Sequence, residues 1–591
     1  MTTDLGAPAP PRVGPPLPYH RPGWSSARPV DRIAEGLLDA GLVRAGEPDP
    51  IPLIRPFRWR TDPTLPTPTD LAAWGFLDPL LEIYSETSDQ RYLEPAVDLA
   101  RDWIRAHRDD ADADADTINI QAGRAWRLAY ILAEAERYGG FGPNELKPLW
   151  DLASRCETAL DGNAGVPAAC GRLALATRLS GNDHHREVEA QAAALEAFRA
   201  AFGPDGVHRS HDPARHDAEL GLLTAVLRSK MLDDPDLDAL QERAEEALAW
   251  FVLPDGTLAT FGDTGEQYIS PAWDGPQIAL RFVVDRYRTE TLRHLASMGR
   301  IGAPPQASFK VFPYSGYLVM RPARRFTPDR DPGASYVALQ AGSDRRRHPQ
   351  RDDLAVVWFD RGRRMLVNGG ARPPAPPDAA AVKYFVSPRA HNTVTVDGSR
   401  PTGEATLERW GELRGVVFTD ARAEIGTVTH RRSVMTKPTE WLLIVDMLYD
   451  SVGATHNYRQ WFHAAEEFDL VKDGRRYMLT ELGNPLAFAV PLRGSQQPLT
   501  PLRSKTAPRL NGWWAPRPGV MVPNWAFGWE LSGAQALFAT LFTFDRPANP
   551  TLNPEGSIGW VHNGVETEVA VRDVGLVDIN ERPADRTTET T

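Results

Sequence analysis

Cysteine is nearly absent: Cys156 and Cys170 are the only two in 591 residues, too few to staple a chain of this length. Both fall in a helical-looking apolar stretch, where buried free thiols are expected. No run approaches the roughly 20 apolar residues that a membrane span needs. An excess of positive charge is missing too. With 66 Lys and Arg against 78 Asp and Glu, the formal net charge is −12. That balance argues against nucleic acid as a partner, and it leaves any acidic ligand dependent on a local basic site. The opening "MTTDLGAPAPPRVGPPLPYHRPGW" has no basic cluster followed by an apolar run, so no secretory signal is expected and the cytoplasm is the expected location.

What is present divides the chain. Its length exceeds what one hydrophobic core serves, and two large domains are expected. Residues 1–50 are rich in proline and read as an irregular extension. Residues 51–305 carry apolar positions at three- and four-residue spacing, as in "DLAAWGFLDPLLEIYSETSDQRYLEPAVDLARDWIRAH", and successive segments are joined by short turns without strands. This predicts helix pairs in an all-α layer curling on itself. The acidic "DDADADADT" (109–117) lacks the glycine and terminal glutamate of a calcium loop and reads as a solvated turn. After Pro304 the period becomes two. "SGYLVMRP", "SYVALQAG", "NTVTVDG", "WLLIVDMLYD" and "HNYRQWFHA" predict many short antiparallel strands, hence a β-sandwich over 306–580, with 581–591 as a loose tail.

Two stretches crowd polar chemistry against strands. "DRRRHPQRDDLAVVWFDRGRRMLVNGG" (344–370) supplies Arg345, Arg346, Arg347, His348, Gln350 and Arg351, the local basic site that the overall charge does not provide. A solvated loop is the plain alternative. "YFVSPRAHNTVTVDG" (384–398) places Tyr384, Arg389, His391 and Asn392 at the mouth of a strand.

These stretches resemble the heparinase II/III-like family of polysaccharide lyases. Its pattern is His-x-His-x-Asp, a strand, a glycine turn, and a loop into Ala-His-Asn-Thr-Val. "GNAGVPAACGRLAL" (162–175), "FGPDGVHRSHDPARH" (202–216), "LPDGTLATFGDT" (253–264) and "FPYSGYLVMR" (312–321) follow in the family's order. The resemblance implies an α+β multidomain chain, with an incomplete (α/α) toroid followed by an antiparallel β-sandwich and an active site in the cleft between them. It also implies β-elimination at a uronic acid. A proton next to a carboxylate becomes removable only when that charge is neutralised; a base then takes it, and an acid protonates the departing oxygen.

Carried over residue by residue, Asn163 stands at the carboxylate-neutralising position, or else caps a helix N-terminus. His348 matches the first His of the pair, and Tyr384 lies where alginate-cleaving members keep a catalytic Tyr. A tyrosine serves as base only if neighbouring cations lower its pKa. His391 matches a His that binds zinc in some members, but Gln350 and Asn368 stand where the other ligands would be. No metal and no cofactor are expected, and an amide network is expected to brace His391 in their place. The family's Ser-Pro-x-Tyr-His reads Asp212-Pro213-Ala214-Arg215-His216 here, and Arg215 cannot act as a base. His208 is a further candidate for that step. Tyr384, His348, Asn163 and His208 are therefore the catalytic candidates. Arg389, Arg215, His391, Gln350 and Arg351 are the substrate-binding ones. The expected partner is an acidic oligosaccharide or polysaccharide, in imported form, with no nucleic acid and no membrane. Alternatives are a non-catalytic carbohydrate-binding protein on the same fold, and a hydrolase using Asp263, Asp352 or Asp353.

Overall fold

The structure is a computed structural model. It describes residues 13–21, 30–39, 41, 69–107, 118–179, 181, 183–269, 283–284, 286–297, 299–321, 333–342, 350, 352–371, 379–398, 405–493, 495–552, 557–572 and 575–584. His348, Arg351, Arg345, Arg346, Arg347 and the acidic 109–117 run lie outside the described residues, as do most of 1–50 and the end of the tail. A helical N-terminal region, an incomplete (α/α) toroid, is followed by antiparallel sheets. Two compact units form: Met1–Phe202, Asp217–Glu242 and Pro271–Arg288 in the first, and Gly203–His216, Arg243–Ser270 and Thr289–Thr591 in the second.

In the helical unit the apolar spacing becomes α1 (Asp78–Thr87), α2 (Gln90–Ala106), α3 (Ile118–Tyr138), α4 (Pro143–Leu160), α5 (Val166–Leu179) and α6 (His184–Ala201). Asp89 and Asp183 cap α2 and α6 by accepting from the amides of Arg91 and Arg186, which satisfies one otherwise orphaned donor in each. α2, α4 and α6 bury one stripe, whereas α3 and α5 are buried nearly all round. A helix buried on every side must lie inside a layer of others, and that alternation is the two-layer arrangement of the toroid. Residues 13–21 strap across these helices. The Tyr19 hydroxyl donates to Asp78 at 2.5 Å, and Asp78 also takes a two-point ion pair from Arg127. The guanidinium of Arg178 donates to the carbonyls of Leu17 and Pro18. Cys156 and Cys170 are both buried free thiols.

In the sandwich unit the sheet at the centre has eight antiparallel strands in the order Asp469–Asp473, Arg476–Glu481, Asn484–Pro491, Gln535–Thr543, Trp441–Asp450, Val428–Lys437, Val416–Ile425 and Thr406–Leu413. One of its faces packs on a five-stranded sheet (Phe309–Phe312, Tyr317–Met320, Ser335–Gln340, Val356–Asp360, Arg363–Leu366) and on a four-stranded one (Gln497–Pro498, Ala526–Gly533, His456–His463, Val394–Val396). The shared core includes Trp358, Phe462, Trp514, Phe527, Trp529 and Phe542. Its other face meets a C-terminal sheet of four strands, with Trp441 and Trp560 edge to face. The far face of the five-stranded sheet carries Tyr317, Tyr336 and Phe359, covered by Val207, Trp250, Phe251 and Phe261. The loops around 207 and 261 are thereby fixed beside the strand ends at 350–354 and 366–370.

Candidate functional site

The loop from Gly203 to His216 is shaped by tight turns. Gly206 has φ +83° and would strike the carbonyl of Arg243 if it carried a Cβ, so the "PDG" turn requires glycine. It delivers His208, which is 4% exposed. The Nδ1 of His208 accepts from the backbone N–H of Ser210 at 3.1 Å, so its proton sits on Nε2. The His208 and His216 rings are 6.4 Å apart. Asp212 then caps the helix Pro213–Arg228: its Oδ1 accepts from the amides of Ala214 and Arg215 and from the Thr264 hydroxyl at 2.5 Å. Burial, with Asp263 nearby, raises the Asp212 carboxyl above its ordinary pKa. Arg215 occupies the first turn of that helix.

A second loop, 258–266, links this group to the strand ends. Gly262 has φ +59°, and an added Cβ would meet the carbonyl of His211 at 2.8 Å. Its amide donates to Asp352 at 3.1 Å. Gln350 donates through Nε2 to Asp263 at 2.7 Å. The Asn368 amide donates to the hydroxyl of Thr260.

The third group surrounds Asn392. Its Nδ2 donates to the carbonyls of Val356 and Val367 at 2.8 and 2.9 Å, and its Oδ1 accepts from the amide of His463 at 2.7 Å. The Asn368 oxygen faces the Asn392 amide, leaving Asn368 Nδ2 buried with no partner among the described residues. His391 is fully buried and donates from Nε2 to the carbonyl of Phe385 at 3.0 Å. Burial and the neighbouring His391 push the His463 imidazole down to about 3. Beneath them the Arg432 guanidinium donates to the carbonyls of Leu354 and Asn392 at 2.7 and 2.6 Å, tying together the two segments that carry the site.

Tyr384 and Arg389 lie on a short helix (Ala379–Phe385) and the turn after it (Pro388–Ala390). The Tyr384 hydroxyl donates to the carbonyl of Trp513 at 3.2 Å, and burial pushes the phenol up to about 12. Arg389 lies over its ring, 6.0 Å from the centroid. A phenol with so high a pKa stays protonated at neutral pH, which suits a donor and not a base.

Asn163 belongs to the helical unit, half-buried. Its Nδ2 donates to the carbonyls of Ala159 and Asp161, so it closes the C-terminal end of α4. It is not the N-cap that a reading of "DGN" suggests, because the free carbonyls of a helix end call for a donor.

The zinc positions hold the wrong donors. Asn368 turns its oxygen to Asn392 and leaves an NH2 group, which cannot ligate a cation. Gln350 gives its Nε2 to Asp263 and has left only a neutral amide oxygen, a poor zinc ligand. Among the described residues no group of three or more His, Cys, Asp or Glu is placed to hold a metal ion. The residues present do not fit zinc.

Sequence reasoning missed His463, Arg432 and Asp446. The signal for His463 was the polar residue closing "YRQWFH", and for the other two a charged residue inside each of two buried strands.

Residues 304–521 match the family described as heparinase II/III-like, C-terminal. No curated protein matches the sequence. Among solved structures, the chain is similar to a heparan sulfate lyase from Pedobacter heparinus, with 15% identity, TM-score 0.61, and 96% of this chain and 91% of that one covered. It is also similar to a structure described as heparinase III, with 14% identity, TM-score 0.66, and 92% and 91% covered. At these identities the likeness is one of fold.

Proposed function

Residues 304–521 match the heparinase II/III-like C-terminal family, and from that premise we propose that the chain is a polysaccharide lyase cleaving a uronic-acid-containing glycan by β-elimination. In the step, a base removes the proton on the carbon next to the uronate carboxylate. The electron pair left behind forms the new carbon–carbon double bond, and the glycosidic oxygen leaves with a proton from an acid. So balanced, the step needs no metal.

His348 is the base in this reading. Tyr384 is the acid, in keeping with a phenol held protonated by burial. His208, whose Nε2 carries the proton, donates to the substrate. Asn163 keeps the carboxylate-neutralising role only as the resemblance gives it, its Nδ2 being held by the carbonyls of Ala159 and Asp161, and Arg389 and Arg215 are the cations of the substrate-binding set. His391, Gln350 and Arg351 complete the binding set. The carrying observation is a set of three buried or part-buried hydrogen bonds, Asp263–Gln350, Gly262–Asp352 and Asn368–Asn392. It supports a preorganised polar wall, which is what charge stabilisation in an elimination requires.

Two observations favour a second reading, a non-catalytic carbohydrate-binding protein. The Tyr384 hydroxyl is spent on a backbone carbonyl, and Arg215 replaces the family's tyrosine. The two readings part on incubation with a uronate oligosaccharide panel. A lyase generates the ultraviolet absorbance of an unsaturated uronate; a binding protein retards the glycans in affinity electrophoresis without it.

Among the described residues no helix is long and apolar enough to cross a membrane. The proposed substrate is an acidic oligomer.

A further inference from the structure

Arg389 is a half-buried cation to which no carboxylate is paired among the described residues. Its guanidinium makes no hydrogen bond or ion pair there, only the contact with the Tyr384 ring at 6.0 Å. A second cation, Arg509, is near enough to act on it electrostatically. Ala390 and Leu510, the residues next in sequence, share one apolar cluster with Tyr384, Phe385 and Ala515, and so the two arginines emerge from neighbouring points of the same patch. Burial first, and the charge of Arg509 to a smaller extent, push the Arg389 guanidinium below its ordinary range, with the Tyr384 phenol acting in the opposite direction.

The placement is fixed and not fortuitous. Arg509 sits in a hairpin closed by paired backbone hydrogen bonds between Lys505 and Asn511, at 2.9 and 3.0 Å. Trp513 pins that hairpin by donating from its indole N–H to the carbonyl of Lys505 at 3.1 Å, while its own carbonyl accepts from Tyr384. The proposed proton donor and the second guanidinium are therefore linked through one tryptophan. Two guanidinium groups without a counter-ion repel each other, and a ligand that supplies the negative charge relieves that repulsion. Paired guanidinium groups match the planar or tetrahedral oxygens of a carboxylate or sulfate, and an aromatic face beside them suits a sugar ring.

We propose that Arg389 and Arg509 form a two-guanidinium subsite for an acidic group of the glycan, a sulfate ester or a carboxylate, with Trp513 holding the loop that brings them together. The inference rests on the lyase reading for the identity of the ligand. It adds a requirement that the substrate present an oxyanion at this point.

The test is calorimetric, on the whole protein, with three tetrasaccharides: a sulfated hexuronate–hexosamine, its desulfated form, and that form with its carboxyls reduced. The wild type is expected to bind the acidic forms at least about tenfold more tightly than the reduced one. Arg509→Gln is expected to lose about tenfold on an acidic form, and Arg509→Lys to stay within about threefold of wild type. Loss confined to the sulfated sugar assigns the sulfate ester; loss on the desulfated sugar as well assigns the carboxylate. Equal binding by wild type and Arg509→Gln on both acidic forms overturns the proposal, as does equal binding of the reduced form by the wild type. Arg509 is exposed, so its variants are expected to fold, and unchanged melting confirms it. Binding without unsaturated product would count against the lyase reading and leave the subsite standing.

Discussion

Arg432 and Asp446 face each other as direct partners on adjacent strands. Arg432 Nε lies 2.7 Å from Asp446 Oδ1 and Nη2 lies 2.8 Å from Oδ2, with both side chains at 0% exposure. His430 and Gln460 also donate to that carboxylate. The other edge of the guanidinium holds the carbonyls of Leu354 and Asn392. The pair is the floor on which the site's two chain segments rest.

The first prediction concerns that floor. Arg432→Met leaves the buried Asp446 carboxylate without its guanidinium partner, and a loss of about 3–5 kcal/mol is expected in urea unfolding. The double variant Arg432→Met/Asp446→Leu is expected to lose much less, because it removes both charges. If single and double variants were equally destabilised, packing and not charge would be the cause.

Tyr384→Phe removes one hydroxyl that donates to the carbonyl of Trp513. As the proton donor it is expected to lower kcat about 10²–10⁴-fold with stability changed by about 1 kcal/mol. Turnover at the wild-type rate, with only the melting shift, would make the residue structural.

The imidazole of His463 sets an acid limit. Its pKa in the fold is about 3, against about 6.5 unfolded. Between those values the unfolded chain binds the extra proton, so stability is full above 6.5 and falls as the pH drops, by up to about 1.4 kcal/mol per pH unit from this group. A series of unfolding curves from pH 7 to pH 4 checks it: His463→Gln is expected to flatten the slope by about one proton.

Arg321 is a different kind of buried cation. Its Nε and Nη2 are buried with no hydrogen-bond partner among the described residues, and its charge rests on the Tyr336 ring at 5.5 Å. Arg321→Met is expected to raise the melting temperature, since a long apolar chain replaces an uncompensated charge. A fall would show that the cation has a stabilising role.

Much of this was readable beforehand, for physical reasons. The change from a period near 3.6 to a period of two after Pro304 announced helices and then strands. "RAHNTVTVDG" named the loop and strand at His391 and Val394–Val396, because its polar residues sit just ahead of an alternating apolar run. What stayed hidden was pairing at a distance. Nothing in "HRRSV" or "LLIVDM" says that Arg432 and Asp446 meet, since strand register is set by the whole sheet. Nor does "AVKYF" say that Tyr384 turns inward to Trp513, 129 residues away. Leu510 and Ala390 share a cluster through tertiary packing that leaves no local period, and so Arg509 carried no signal.

The central claim is elimination, and product chemistry tests it most directly. The protein is incubated with an acidic oligosaccharide in the presence of a chelator, while ultraviolet absorbance and new reducing ends are followed together. The account predicts that both rise in step, one double bond per cleaved link, at a rate the chelator does not change. Reducing ends without the absorbance, or a rate abolished by the chelator and restored by zinc, would contradict it.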